Sequence, residues 1–201
     1  MSKYYENAKL LIDSLETDAP LAVNGATAKV LAIAEEVDKR LDFLKGEPNS
    51  PNAALASVEA HRLALEKVGE IRSTDLAKLE RHRDAAKEKL LARPAVEDHA
   101  RAQSMWAQVA TMKNADPTMI AMSWHAFPPE LRTALLTAPP TIRENGDGML
   151  AAFELVDDDT RLSEMSARLP REAAQFNGLE RNADALNIVL NSFQQDLEGK
   201  R

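Results

Sequence analysis

Hydrophobic residues recur every three or four positions along most of this chain, which is the spacing of an amphipathic α-helix. One such stripe predicts a helix over about 26–45, with Gly46 placed as its C-terminal cap. The stripe consists of Val30, Ile33, Val37, Leu41 and Leu44.

A second long helical region follows the loop EPNSPN. Ser50-Pro51 is typical of an N-cap followed by proline at the first helical position, and a long proline-free interval comes next. Residues 53–93 therefore form either one helix on the order of 60 Å long or a helical hairpin. Gly69 and the run Ser73-Thr74-Asp75 are poor helix formers, so we expect a break or kink near 70–74.

Prolines become more frequent after residue 93, and they predict shorter helices. Asp116-Pro117 repeats the N-cap and proline signal, while Pro128-Pro129 and Pro139-Pro140 bracket the short helix PELRTALLT. The last helix begins after Leu169-Pro170 and carries an apolar seam with 4-3-4-3-4 spacing. That seam must pack against another helix, of this chain or of a neighbouring one, and the sequence leaves both alternatives open. Its residues are Leu179, Ala183, Leu186, Leu190, Phe193 and Leu197.

These patterns predict an all-α fold, because helix-forming residues dominate and β-branched runs are few. We expect a multi-helix bundle with long N-terminal helices or a hairpin over about 26–93, then shorter proline-punctuated helices and a C-terminal amphipathic helix. The 201 residues suffice for a sizeable core. They divide into a long-helix region, 1–93, and a compact helical region, 94–201, or form one continuous domain.

Composition excludes several classes of function. The chain has no cysteine, which excludes disulfides, thiolate zinc sites and cysteine nucleophiles. Its N-terminus matches neither a signal peptide nor a membrane span, because Asp13 ends the apolar run Leu10-Leu11-Ile12. We expect a soluble, cytoplasmic protein. A net charge of −7 disfavours nonspecific attraction to nucleic acid or anionic membranes.

The stretch RENGDGMLAAFE at 143–154 has the outline of both an EF-hand loop and a dinucleotide-binding turn. Arg143 occupies the first calcium-ligand position, where an oxygen is needed, and no buried strand precedes Gly146. We therefore expect neither calcium nor a nucleotide to bind. Asp147 is instead expected to cap a helix that starts at Met149.

Other chemical signatures are weak. Asp157-Asp158-Asp159 is best explained as a helix N-cap, and P-loop, G-x-S-x-G and S-x-x-K motifs with their partners are absent. The sequence thus predicts no catalytic, cofactor-binding or metal-ligating residue. Four histidines are too scattered for a local metal motif, and each is expected to be exposed or satisfied by hydrogen bonds. They are His61, His82, His99 and His125.

The segment 62–93 is locally basic and could contact phosphates through its part from Lys78 to Lys89. It lacks an aromatic residue for base stacking, and its charges pair along the helix, which indicates a solvated face. The expected pairs are Arg62–Glu66, Glu80–Arg83 and Asp84–Lys87.

Methionine and tryptophan are concentrated between 105 and 165. Methionine adapts to irregular surfaces and tryptophan anchors interfaces, so this cluster is either a domain core or a partner-binding surface. A domain core is the more common explanation of such a cluster. The stretch SMWAQVATMKNADPTMIAMSWHAF places bulky residues on more than one helix face, which lends support to the second alternative. The interface candidates are Met105, Trp106, Met112, Met119, Met122 and Trp124, together with Leu186, Leu190 and Phe193 of the C-terminal seam.

The leading hypothesis is a non-enzymatic α-helical structural or adaptor protein that acts through self-association or protein–protein binding. A subunit of a large particle such as a virion belongs to this class. The expected partner is a second copy of the chain or another protein, with no cofactor and no membrane. The alternative is a nucleic-acid-associated helical protein that uses the basic segment 62–93. An enzyme with a dispersed site is the least favoured hypothesis.

Overall fold

The computed structural model describes residues 3–15, 21–45, 51–91, 104, 107, 116–137 and 156–199. All regular structure among these residues is helical, with no β-strand, so the all-α prediction is confirmed. The α-helices are α1 (Lys3–Ser14), α2 (Leu21–Lys45), α3 (Pro51–Ile71), α4 (Ala77–Leu91), α5 (Pro117–Met122), α6 (Pro129–Thr137), α7 (Asp158–Arg168) and α8 (Pro170–Leu197). None of these helices is long and apolar enough to cross a lipid bilayer.

The chain divides into two compact units. The first unit comprises Met1–Lys87 with Ala174–Arg201, and the second comprises Glu88–Ala173. The division that the sequence predicts near residue 93 places the C-terminal helix in the second region. Residues 174–201 belong to the first unit because the apolar seam of α8 is buried in its core.

The core of the first unit is built from the apolar stripes of α1, α2, α3, α4 and α8. Leu186, Leu190 and Phe193 of the seam are at most 1% exposed. The seam therefore packs against helices of its own chain, which decides between the two alternatives that the sequence left open. The buried cluster that contains these three residues also includes Val23, Val30, Val37, Ala64, Val68, Ile71 and Leu79.

The helical region after residue 51 is distorted but not broken. A π-helical turn, Arg72–Leu76, joins α3 to α4, and the residues on both sides keep right-handed helical angles. Ile71 has φ −61° and ψ −42°, and Ala77 has φ −61° and ψ −27°. The distortion lies where a break or kink was expected, whereas the helical-hairpin alternative is wrong because no turn reverses the chain there.

Side-chain caps start two of the short helices of the second unit, α5 and α7, as their sequences predicted. The Asp116 carboxylate accepts a hydrogen bond of 2.9 Å from the Thr118 amide, with proline at the first helical position of α5. The Asp157 carboxylate accepts one of 2.9 Å from the Thr160 amide at the start of α7. The predicted helix PELRTALLT is α6. Each cap satisfies a backbone N–H that has no partner within its own helix.

Candidate protein interface

Two methionines lie exposed on α5. Met119 is 60% exposed and Met122 is 77% exposed, and their spacing of three residues places them on one side of the helix. The opposite side is buried, because Ile120 is 3% exposed and Trp124, in the following 3₁₀ turn, is 1% exposed. We call Met119 and Met122 the methionine pair. The helix thus has a core side and an outward apolar side.

The other predicted interface residues divide into two groups. Trp124, a residue of the second unit, is buried, and Leu186, Leu190 and Phe193 are buried in the core of the first. None of these four offers a surface to a partner, because the folded chain already removes them from water. The remaining three candidates lie outside the described residues, as does the motif-like stretch at 143–154. These three are Met105, Trp106 and Met112.

A largely buried ionic network joins α6 to α7 in the second unit. The Glu164 carboxylate accepts hydrogen bonds from Arg132 Nη1 at 2.5 Å and from Arg168 Nη2 at 2.6 Å. Arg168 Nη1 donates to the Thr133 hydroxyl at 2.8 Å. Only 12% of the Glu164 side chain is exposed, so water screens these charges weakly. The network holds the two helices together.

The cap of α7 also has an electrostatic consequence. Backbone and side-chain hydrogen bonds from Thr160 lower the pKa of Asp157, and the nearby His125 adds to the effect. The charged carboxylate is the better acceptor for these donors, so the cap favours the ionised form.

Polar contacts hold α1 against the first unit. The buried Asp38 carboxylate of α2 accepts hydrogen bonds from the Tyr4 amide at 3.2 Å and the Tyr5 amide at 2.8 Å. The Tyr4 hydroxyl lies 3.0 Å from His61 Nε2, and His61 Nδ1 lies 2.8 Å from the Ser57 carbonyl. A carbonyl can only accept, so Nδ1 carries the proton and Nε2 of the neutral ring accepts from Tyr4.

Burial raises the pKa of Tyr4, with smaller contributions from the carboxylates of Asp196 and Asp38. Burial and the nearby negative charges both disfavour a phenolate, so the tyrosine keeps the proton that it donates to His61. His61 is therefore a satisfied, half-buried histidine, as the sequence predicted. His82 and His125 are exposed, and His99 lies outside the described residues.

The described residues contain no group of three or more histidine, aspartate or glutamate side chains that could hold a metal ion. One small crevice, between α2 and α3, is lined by Ile33, Val37, Ala60 and Ala64 and edged by charged side chains. The Glu36 carboxylate at its edge is already bound by Lys67 at 2.5 Å and Arg40 at 2.6 Å.

The basic segment forms many of its ion pairs within the chain. Arg62 pairs with Glu59 at 2.6 Å and with Glu66, and the second contact confirms one of the predicted pairs. Arg83 binds the neighbouring Asp84 at 2.8 Å, and the charge of Glu80, its predicted partner, also contributes to raising the pKa of Arg83. The guanidinium group of Arg83 thus lies beside the carboxylate that follows it in sequence.

The apolar surface of the first unit is not indicated by the sequence. Large hydrophobic side chains are exposed on four of its helices, and each occupies a position outside the apolar stripe of its helix. Leu55 and Val58 are three residues apart on α3, which is the spacing of the methionine pair, whereas the other three are single exposed residues of a kind that is ordinary on protein surfaces. The five residues are Leu10, Phe43, Leu55, Val58 and Ile188.

No protein-family model, curated protein or solved structure matches the chain.

Proposed function

We propose that this protein is a non-enzymatic α-helical structural or adaptor protein that binds a second copy of itself or another protein through the methionine pair of α5. The observation that carries the proposal is the outward position of Met119 and Met122, which are 60% and 77% exposed on one side of a helix. The other side of that helix is fixed in the second unit by Ile120 and Trp124.

Methionine suits such a surface physically. Its unbranched, polarizable side chain fits partner surfaces of different shapes, and removal of apolar area from water contributes roughly 25 cal/mol per Å². The cap at Asp116 and the buried Trp124 hold the helix in place, so binding requires little ordering of its backbone. A stable interface usually covers about 800 Å² per partner, so surface beside the methionine pair must contribute as well.

The C-terminal seam has no role in this partner binding, because the first unit already buries it. Under the proposal the protein is a cytoplasmic assembly subunit, and a virion is one particle that it could join. Arg62, Lys67 and Arg83 each form an ion pair within the chain, which supports the interpretation of the basic segment as a solvated helix face. The nucleic-acid hypothesis therefore ranks below protein binding.

The direct test is a double substitution, Met119→Glu with Met122→Glu. The matched control, Thr118→Glu with Ala126→Glu, adds the same charge at exposed positions nearby and keeps both methionines. Sedimentation over a range of concentrations measures self-association, pull-down from a lysate measures binding to other proteins, and circular dichroism reports the fold.

We expect the native chain and the control to associate, and the methionine variant to remain folded without associating. Association that survives the double substitution would contradict the assigned surface. A native chain that stays monomeric and captures no protein would contradict the proposed function itself. The nucleic-acid alternative would be favoured if the native chain bound DNA or RNA in a salt-dependent way and the variant Arg81→Glu with Arg83→Glu did not.

A further inference from the structure

The π-helical turn at Arg72–Leu76 interrupts an apolar stripe that is otherwise regular. Upstream of the turn, Ala64, Val68 and Ile71 are buried in the core of the first unit. Downstream of it, Leu76 and Leu79 are buried in the same core. Every step along this stripe is three or four residues, except the step of five from Ile71 to Leu76.

A five-residue step does not fit an α-helix. At 3.6 residues per turn, each residue advances by about 100°, so Leu76 would point about 140° away from Ile71. A four-residue step would leave them only about 40° apart. A π-helical turn closes with hydrogen bonds between residues five apart, and the Ala77 amide bonds to the Arg72 carbonyl in this way. Leu76 therefore returns to the buried side.

We infer that the π turn is a register device, which absorbs one surplus residue and keeps the stripes of α3 and α4 in phase. Without it, a regular α-helix through the same residues would rotate Leu76 and Leu79 away from the core. These leucines are 4% and 6% exposed, so the α register would bring both into water.

Polar contacts to neighbouring helices select the π register. The Arg72 guanidinium donates to Asn187 Oδ1 at 3.1 Å and to Asn191 Oδ1 at 2.8 Å, both on α8. The Asp75 carboxylate binds Lys29 of α2 at 2.7 Å. If the turn were wound as a regular α-helix, the helix would rotate about its axis and these contacts of Arg72 and Asp75 would be lost.

Side chains inside the turn support it locally. The Ser73 and Thr74 hydroxyls both donate to the Glu70 carbonyl, at 3.1 and 2.7 Å. Such bonds to a carbonyl one turn earlier bend a helix and compete with its regular backbone pattern. Both side chains are exposed, so neither is needed to fill the core. The surplus residue can therefore be removed at this point without a cavity.

Deletion of Ser73 tests the inference, because it shortens the step from Ile71 to Leu76 to four residues. We expect a folded protein with a melting temperature within roughly 4 °C of the native value, since every core side chain keeps its place. The matched control is deletion of the exposed Glu35 in α2, where no π turn exists to absorb the change. That deletion rotates Val37 and Asp38 off the buried side and should abolish cooperative unfolding.

Two results would overturn the inference. Loss of the fold on deletion of Ser73, comparable to the loss on deletion of Glu35, would show that the turn holds no surplus residue. Equal tolerance of both deletions would show that the turn has no special role in register.

Hydrogen exchange tests separately whether the contacts to α2 and α8 select the register. In Lys29→Ala with Arg72→Ala, we expect faster hydrogen exchange of the amides from Leu76 to Leu79, with unchanged exchange in α1. Unchanged exchange at Leu76 and Ala77 would show that these contacts do not select the register.

Discussion

The two units bury apolar surface with helices of very different length. In the first unit α2 has 25 residues and α3 has 21, whereas in the second α5 has six and α6 has nine. A long helix repeats its apolar stripe over many turns, and tertiary packing stabilises it along its whole length. A short helix has few turns to pack, so its stability depends on the capping of its ends.

The same difference decides where apolar side chains remain exposed. Within the described part of the second unit, both exposed large hydrophobic residues, Met119 and Met122, lie on the six-residue α5. Those of the first unit are distributed over four helices, and only Leu55 and Val58 share a helix, the 21-residue α3. A short helix anchored by one or two core residues turns its other side outward, and this concentrates apolar surface. Concentration favours binding, because neighbouring residues leave water together in one interface.

The largest expected effect is in the core of the first unit. Leu190→Asp places an unpaired charge where the native side chain is 0% exposed, which should cost on the order of 4 kcal/mol or more and unfold the unit. Circular dichroism and thermal unfolding measure the loss. Ile188→Asp is the control, because this neighbour on α8 is 49% exposed. A folded Leu190→Asp protein of smaller mass would instead indicate an intermolecular seam.

Trp124→Ala is the corresponding change in the second unit. Loss of a tryptophan that is 1% exposed should destabilise the unit by roughly 3–5 kcal/mol. Met122→Ala, on the exposed side of α5, should change stability by only about 0.5 kcal/mol. Hydrogen exchange of the amides of α5 and α6 separates the two variants. Comparable destabilisation by both would show that Met122 packs in the core. In that case α5 would have no separate outward apolar side.

Local signals were sufficient to predict most of the helices. The stripe from Val30 to Leu44 predicted α2, although the helix starts five residues before the expected position. The Asp-Pro and Pro-Pro dipeptides located the starts of α5 and α6, because proline at the first turn and an aspartate cap act within a few residues. The distortion at 72–76 was also located, but its π-helical form depends on the core that Leu76 must reach.

Long-range choices could not be read from the sequence. Met122 and Trp124 are bulky residues two positions apart, which places them on opposite sides of a helix, and one is exposed while the other is buried. Which of the two is buried depends on the elements that cover α5, and periodicity contains no information about that. The bond from Arg132 to Glu164 joins residues 32 apart, and only the i,i+4 half of the network, from Glu164 to Arg168, was visible as a local pattern.

Glu164→Gln tests whether the second unit depends on its ionic network. The substitution leaves Arg132 and Arg168 with little counter-charge, and both side chains are only 22% exposed. We expect a loss of about 2–3 kcal/mol, below the range for a fully buried pair because some water reaches the site. Glu59→Gln removes a partner of Arg62 at the surface of the first unit and should leave stability nearly unchanged, because water screens this exposed pair. Equal losses in urea unfolding would contradict the difference in burial.

Tyr4→Phe tests the attachment of α1 in the first unit. Loss of the hydrogen bond to His61 should destabilise the protein by about 1 kcal/mol and leave the helix in place. Tyr5→Phe is the control, because the Tyr5 hydroxyl makes no hydrogen bond among the described residues. Hydrogen exchange of the α1 amides should rise only in the Tyr4 variant. Identical behaviour of the two variants would show that the contact with His61 does not stabilise α1.

The smallest expected effect is the pH dependence of the α7 cap. Hydrogen bonds from Thr160 lower the pKa of Asp157 in the folded protein, so on acidification the unfolded chain takes up this proton first. The contribution is therefore present above the ordinary aspartate pKa and is lost as the pH falls through the lowered value.

Asp157→Asn isolates this charge, because asparagine is itself a good N-cap. We expect the variant to lose less of its melting temperature than the native chain between neutral and acid pH. Asp159→Asn removes an equal charge from the same helix end without removing the cap. If the Asp157 and Asp159 variants show the same pH dependence, protonation of Asp157 does not weaken the cap. The cap would then stabilise α7 through hydrogen-bond geometry alone.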